Sequence, residues 1–185
     1  MKRVLKKIIA FFGKYILYLF YKKKYINSPY FDSSDKIIWG LRTLWFQKIL
    51  GFNKHFPLPV APTVRISHLD NLIFDISDLN NLSSPGCYFQ NFNAKIFIGK
   101  GTYIAPNVGL ITSNHDLNDL DNHSSGSDIK IGKNCWIGMN SVILPGVILG
   151  DKTIVGAGSI VTKSFYEGNQ VIAGNPAKIL KKNEQ

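Results

Sequence analysis

From Ile131 to Tyr166 hydrophobic positions return every six residues, as IGKNCW, IGMNSV, ILPGVI, LGDKTI, VGAGSI and VTKSFY. The first position is aliphatic throughout: Ile131, Ile137, Ile143, Leu149, Val155 and Val161. The second is usually glycine (Gly132, Gly138, Gly150, Gly156), and the fourth favours Asn or Gly (Asn134, Asn140, Gly146, Gly158). The fifth is small or β-branched (Cys135, Ser141, Val147, Thr153, Ser159). A period of six is neither helical nor that of a plain alternating strand. It predicts a chain that makes a short strand, bends at a residue tolerant of positive φ, and repeats, so that each coil stacks on the last. Aliphatic first and small fifth positions then fill a narrow interior, which predicts a parallel β-solenoid. IGKGTY, IAPNVG and LITSNH (98–115) keep the same beat, but Leu110 and Ile131 stand 21 positions apart, so an excursion leaves the coil around 112–128. Upstream, VRISHLDNLIFDISDL (64–79) has suitable residues with a blurred period and predicts irregular first coils. Spacing does not set the hand, and the crossover rule taken alone gives a right-handed coil.

Residues 1–24, MKRVLKKIIAFFGKYILYLFYKKK, read as a basic aromatic helix with Leu5, Ile8, Phe12, Ile16 and Leu19 on one face and Arg3, Lys7, Lys14 and Tyr18 on the other. Its apolar run, Ile8 to Tyr21, is interrupted only by Lys14. That run spans about 21 Å as a helix, short of the roughly 30 Å hydrocarbon core. Lys14 inside the run, and no small-residue cleavage site before Lys22, argue against a removed signal peptide. Such a helix suits the headgroup layer, where each basic residue contributes about 1 kcal/mol against an anionic surface. Peripheral membrane contact through 1–24 is therefore expected, with packing of the same face on protein as the alternative. A second helix is predicted from about Asp35 to Leu50, capped by Ser33 or Ser34, striped by Ile38, Leu41, Leu44, Trp45 and Ile49, and stopped at Gly51. The prolines of FPLPVAP (56–62) end helical character. The expected division is helices over 1–56, solenoid over 57–175 and a basic tail over 176–185.

The chain has 185 residues, 45% hydrophobic and 18% charged, which fits one globular domain with an extra segment and excludes a fibre or a large multidomain enzyme. Its net charge of +10 is concentrated: the first 24 residues hold eight basic residues and no acid, leaving 14 basic against 12 acidic residues beyond them. The body is nearly neutral and shows no helix-turn-helix, zinc-finger or RRM pattern, so a nucleic-acid partner is not expected. Cys87 and Cys135 are too few for a disulfide framework and lack zinc-site spacing; a reducing cytosol fits them best, with the basic leader as the expected contact to the inner face of the membrane.

The run NCWIGMNSVILPGVILGDKTIVGAGSIVTK (134–163), followed by AGNPAKILKK (173–182), resembles the hexapeptide-repeat acyltransferases, and among them the sugar O-acetyltransferases of the maltose and galactoside type. The resemblance covers 85–182 and rests on hexads in register with the NPAK ending. It implies a left-handed β-helix, an exception to the crossover rule, a homotrimer, acetyl-CoA as donor and no metal. The first 60 residues instead resemble the leaders of enzymes that modify capsule, exopolysaccharide or O-antigen.

Acyl transfer to a hydroxyl needs a base for the hydroxyl proton and a donor for the developing oxyanion. The histidines are His55, His68, His115 and His123. His115 stands in ITSNHDLNDLDNH (111–123), where the period fails, and the resemblance places the catalytic general base there. His123 is an orienting or substrate residue or a solvated loop side chain; Asp116 either orients the imidazole and meets substrate or is solvated. Asn91, in YFQNFNAKI (88–96), matches the YANFN segment whose first asparagine contacts the acceptor sugar, while a turn asparagine is the alternative. A following hexad's worth of residues, with an acidic sugar contact, has no equivalent in this chain. The resemblance places coenzyme A between neighbouring solenoids, with Trp136 at the edge, Met139 and Ala157 along the pantetheine, Thr162 and Lys163 toward the pyrophosphate and adenine, and Lys178 and Lys181 toward the 3′-phosphate, where lysine acts as a point charge. The set of three histidine ligands of the γ-class carbonic anhydrases, which share the coil, is missing. Cys135 falls in the inward column and reads as core, and no covalent intermediate is expected. The expected activity is O-acetylation of a saccharide, a surface-polysaccharide precursor. Alternatives are N-acetylation of an amino-sugar nucleotide, acetylation of a xenobiotic, and a scaffold without catalysis.

Overall fold

The structure, a computed structural model, describes residues 2–182 in two compact units, the first running to Thr63 and the second starting at Val64. In the first unit α1 (Lys2–Phe20), α2 (Lys23–Ile26) and α3 (Ser34–Leu44) are followed by one π-helical turn (Trp45–Ile49). Ser33 caps α3 as expected, its Oγ accepting from the Lys36 N–H at 3.4 Å. α1 and α3 approach through glycines: a Cβ at Gly40 would lie 2.9 Å from a Leu17 methyl, and one at Gly13 2.8 Å from a Leu41 methyl.

The buried positions after Ser33 are Ile37, Gly40, Thr43 and Gln47; of the expected stripe Ile38, Leu41 and Leu44 are half-buried, with Leu41 near Gly13 of α1. Trp45 and Ile49 are 58% and 66% exposed instead. The reason is local. Glycine permits close approach on this face, and Gln47 is tolerated inside because its amide is saturated: Oε1 accepts from the Tyr21 hydroxyl (2.8 Å) and the Val60 N–H (3.0 Å), while Nε2 donates to the carbonyls of Asn53 (3.0 Å) and Leu58 (3.3 Å). Burial raises the Tyr21 hydroxyl above its usual pKa. Tied to Gln47, buried Leu58 and Val60 make 57–63 part of the helical unit. On α1, Ile8, Phe12, Ile16 and Leu19 are exposed while Gly13 and Leu17 are buried; the side chains of Arg3, Leu5 and Lys7 lie outside the described residues. Among the described residues no helix is long and apolar enough to cross a membrane.

The second unit is a coil of short strands: β1 (Arg65–Ile66), β2 (Leu72–Phe74), β3 (Tyr88–Gln90), β4 (Ile96–Ile98), β5 (Tyr103–Ile104), β6 (Gly109–Ile111) and β7 (Ile129–Ile131). It continues through β8 (Trp136–Ile137), β9 (Val142–Ile143), β10 (Ile148–Leu149), β11 (Ile154–Val155), β12 (Ile160–Val161), β13 (Gln170–Gly174) and β14 (Ala177–Lys182). Successive strands fall on three parallel sheets, ordered β1-β3-β6-β9-β12, β2-β4-β7-β10 and β5-β8-β11-β13, the last closed by antiparallel β14. Partners such as Val142 and Ile160 stand 18 residues apart, three hexads to the coil. Between Tyr103 and Trp136 the offset is 33, so that coil carries 15 extra residues, the excursion. The first coils are irregular as expected, with offsets of 23, 24 and 21 taken up partly by 3₁₀ turns.

The first and fifth hexad positions from Ile131 to Val161 are all buried, as their residue types require. Each intervening fourth position lies in the left-handed region: Asn134 (53°), Asn140 (59°), Gly146 (78°), Lys152 (58°) and Gly158 (71°). Lys152 is the costly member, since a Cβ at positive φ is strained and lysine has no short polar group to compensate. Lys152→Asn, matching Asn134 and Asn140, is expected to gain roughly 0.5–1 kcal/mol and raise the calorimetric Tm by about 2 °C; an unchanged or lower Tm contradicts this account. At the second position, a Cβ on Gly138 would sit 2.6 Å from backbone atoms of Val155 and Ala157, which cannot yield. The expected basic tail is in fact strand β14, with Lys182 paired to Glu167 and lowering that carboxyl's pKa; residues 183–185 lie outside the described residues.

Candidate active site

The excursion is built as a narrow hairpin. The Ser127 N–H donates to Thr112 O (2.8 Å), the Ser124 N–H to Asn114 O (2.9 Å) and the Asp116 N–H to Asn122 O (2.9 Å). This ladder sets His115 opposite His123 in an antiparallel bridge, with ring centroids 4.3 Å apart and planes 32° from parallel. His123 in turn meets the Phe92 ring edge to face at 4.8 Å. The two histidines stand together because they face each other across the hairpin.

His115 is exposed, and its Nδ1 lies 2.7 Å from the Leu120 carbonyl oxygen. A carbonyl only accepts, so Nδ1 carries the proton and the neutral ring keeps its lone pair on Nε2. That is the form a general base needs. The His115 ring bonds to Leu120 O rather than to Asp116, whose Oδ1 accepts from the Asn118 N–H at 2.8 Å at the hairpin tip.

Asn91 departs from its expected place. It is wholly buried, its Oδ1 accepting from the His68 N–H (2.9 Å) and its Nδ2 donating to the His68 carbonyl (2.7 Å). Its amide clamps two coils together and is not offered to a sugar in this conformation. The neighbouring Gln90 holds the hairpin's root: its Oε1 accepts from the N–H groups of Thr112 and Ser113 and its Nε2 donates to Ser113 O, each at 3.0 Å. In the sequence Gln90 is marked only as a long amide ending an apolar strand.

Of the residues assigned to the donor, Trp136 is 56% exposed and continues a ladder of side chains across one sheet, Tyr103, Trp136, Ile154 and Val171. Tyr103, Trp136 and Ile154 border an open groove of about 460 Å³ with Gly101, Asn134 and Cys135. Met139 and Ala157 sit at one corner of successive coils, the Gly158 N–H donating to Met139 O at 2.8 Å. Thr162 and Lys163 are exposed after β12. Lys163 shares a cleft of about 400 Å³ with Phe165, Tyr166 and Gln170, and Gln170 Oε1 is buried without a hydrogen-bond partner. Lys178 and Lys181 are exposed on β14. Cys135 is core as expected: its Sγ approaches Gly150 O at 3.3 Å, and burial raises its thiol pKa, as it does for Cys87. Among the described residues no cluster of three or more His, Cys, Asp or Glu side chains is arranged to hold a metal ion.

The family described as bacterial transferase hexapeptide (six repeats) matches residues 128–163. A provisionally named acetyltransferase of Staphylococcus aureus (strain COL) is 37% identical over 185 aligned residues, covering 87% of this chain and 90% of that protein. The chain belongs to the hexapeptide-repeat transferase family, and its coil is the left-handed β-helix that the resemblance implied. The galactoside O-acetyltransferase of Escherichia coli (strain K12) is 39% identical over 103 residues, 51% of this chain and 50% of that enzyme. The chain spans about half the length of several such curated relatives. Among solved structures, the hexapeptide-repeat acetyltransferase VCA0836 of Vibrio cholerae O1 biovar eltor, in complex with acetyl coenzyme A, is 26% identical, with a TM-score of 0.51 over 66% of this chain and 62% of that one.

Proposed function

We propose that this protein is an acetyl-CoA-dependent O-acetyltransferase that modifies a saccharide hydroxyl, working as a homotrimer with His115 as general base. The observation that carries the reading is the bond between His115 Nδ1 and Leu120 O, which leaves Nε2 as the basic nitrogen on an exposed hairpin. Nε2 accepts the hydroxyl proton as the saccharide oxygen attacks the thioester carbonyl, and returns it to the departing thiolate. Backbone N–H groups stabilise the oxyanion. The Trp136 groove offers an apolar wall for the thioester arm. The orphaned Gln170 Oε1 can accept from an amino group such as adenine's, and Lys163 beside it meets phosphate. The acceptor is a surface-polysaccharide precursor met at the inner face of a membrane, with the basic segment 1–24 as attachment.

The test pairs calorimetric titration of acetyl-CoA with acetyl-CoA consumption over a panel of saccharides, amino-sugar nucleotides and xenobiotic alcohols. Saturable binding, with turnover on saccharide hydroxyls, is expected. Absence of binding leaves a scaffold, and turnover confined to amines overturns the oxygen-transfer reading.

A further inference from the structure

The charge of this protein is housed in one unit. Residues 1–63 contain 12 of the 22 basic and 2 of the 12 acidic residues, so this unit alone accounts for the whole net charge of +10. The same unit buries an apolar core, with Leu17, Ile26, Phe31, Leu58 and Val60 inside, and still leaves a second set of large apolar side chains outside. α1 and α3 touch through Gly13, Leu17 and Gly40, and α3 and the π turn also bury Thr43 and Gln47. On the side of α1 away from Gly13 and Leu17 stand Phe11, Phe12, Tyr15 and Leu19, all exposed, and the π turn exposes Trp45 and Ile49.

In water the driving force turns large apolar faces inward. A large apolar face left outward beside a filled core marks a surface that meets an apolar partner, and lipid is a medium that takes up such side chains. No described helix can cross a bilayer, so the matching depth is the boundary between headgroups and acyl chains, where Tyr, Trp and Phe rings are at home. The charge selects the partner. Exposed Lys22, Lys23 and Lys24 follow α1 directly, and a second copy of so basic a unit is repelled where an anionic leaflet is attracted.

We propose that residues 2–52 dock in the plane of an anionic lipid leaflet, burying the outer face of α1 and the π turn at Trp45–Ile49 in the interfacial layer. The proposal rests on the membrane attachment within the proposed function and specifies its surface, depth and lipid charge. It does not depend on the acyl-transfer chemistry.

The experiment is co-sedimentation of the full chain with vesicles of phosphatidylcholine alone or mixed with phosphatidylglycerol, with tryptophan emission followed in parallel. Binding to the mixed vesicles is expected to be at least about tenfold tighter and to weaken in high salt. Emission should shift to the blue in the wild type and in Trp136→Phe, and much less in Trp45→Phe. The double variant Phe12→Ser/Leu19→Ser changes only exposed side chains. It should keep the wild-type Tm and acetyl transfer to a water-soluble saccharide while losing about tenfold or more in vesicle binding. Three results each overturn the proposal: equal or absent partition into the two vesicle types, vesicle binding unchanged in the double variant, or a changed oligomeric state of that variant without lipid, which assigns the face to protein. A wild-type chain that binds vesicles but transfers no acetyl group sinks the proposed activity and leaves this inference standing.

Discussion

His115→Ala is expected to lower turnover by about 10²- to 10⁴-fold while leaving the affinity for acetyl-CoA unchanged. The magnitude follows from what the imidazole does in the proposed reaction. An alcohol is a weak nucleophile at neutral pH, and without the His115 imidazole the proposed proton transfer falls to water. Binding is spared because His115 stands on the excursion hairpin, whereas the residues assigned to the donor lie on the coil wall and on β14. The fold is spared because the side chain is exposed and its one bond is to the hairpin's own Leu120 carbonyl. Steady-state turnover with calorimetric binding separates the two effects. A variant with wild-type turnover would remove His115 from the chemistry, and one that loses acetyl-CoA binding would make it a donor contact.

Gln90→Leu comes next in size and acts through position. Gln90 is the buried tie between β3 and the root of the hairpin, and leucine fills its volume but offers neither donor nor acceptor. The N–H and C=O of Ser113 then lose their partners in a buried setting, at a cost of about 1–3 kcal/mol each. In a chain of this size each kcal/mol lowers Tm by about 2–4 °C. Turnover, measured below the midpoint, should fall by about tenfold or more as the imidazole loses its fixed approach, with acetyl-CoA affinity unchanged. Gln90→Glu restores the acceptor but not the donor and should recover part of both losses. Wild-type turnover in the leucine variant, with unchanged amide exchange at residues 112 and 113, would show that the hairpin needs no such tie.

The coil was legible because every instruction for it is local and repeated. An aliphatic residue, a glycine, a left-handed corner and a small residue each act within one hexad, and stacking multiplies the same solution. The break between Leu110 and Ile131 announced the excursion for the same reason, as a failure of arithmetic. Within that excursion the sequence named His115 through family resemblance. It did not show that His123 faces it, since that pairing depends on where the hairpin turns.

The same division holds elsewhere. The helical period of residues 35–50 puts Trp45 and Ile49 inside, where the structure buries Ile37, Gly40 and Gln47 instead. Amphipathicity assigns the larger apolar face to the interior, and here close packing at Gly13 and Gly40, with Gln47 saturated by four partners, decides otherwise. The resemblance of YFQNFNAKI to the YANFN segment points Asn91 at the acceptor sugar, but contact with His68, 23 residues away, engages its amide. The sequence by itself determined the repeat, its inward columns, its corners and the place where it is interrupted, because these are set by neighbours along the chain. Only the tertiary structure decided which polar groups are already satisfied, which apolar face is left outward and which nitrogen of His115 is free. Each of these depends on a partner that folding brings near.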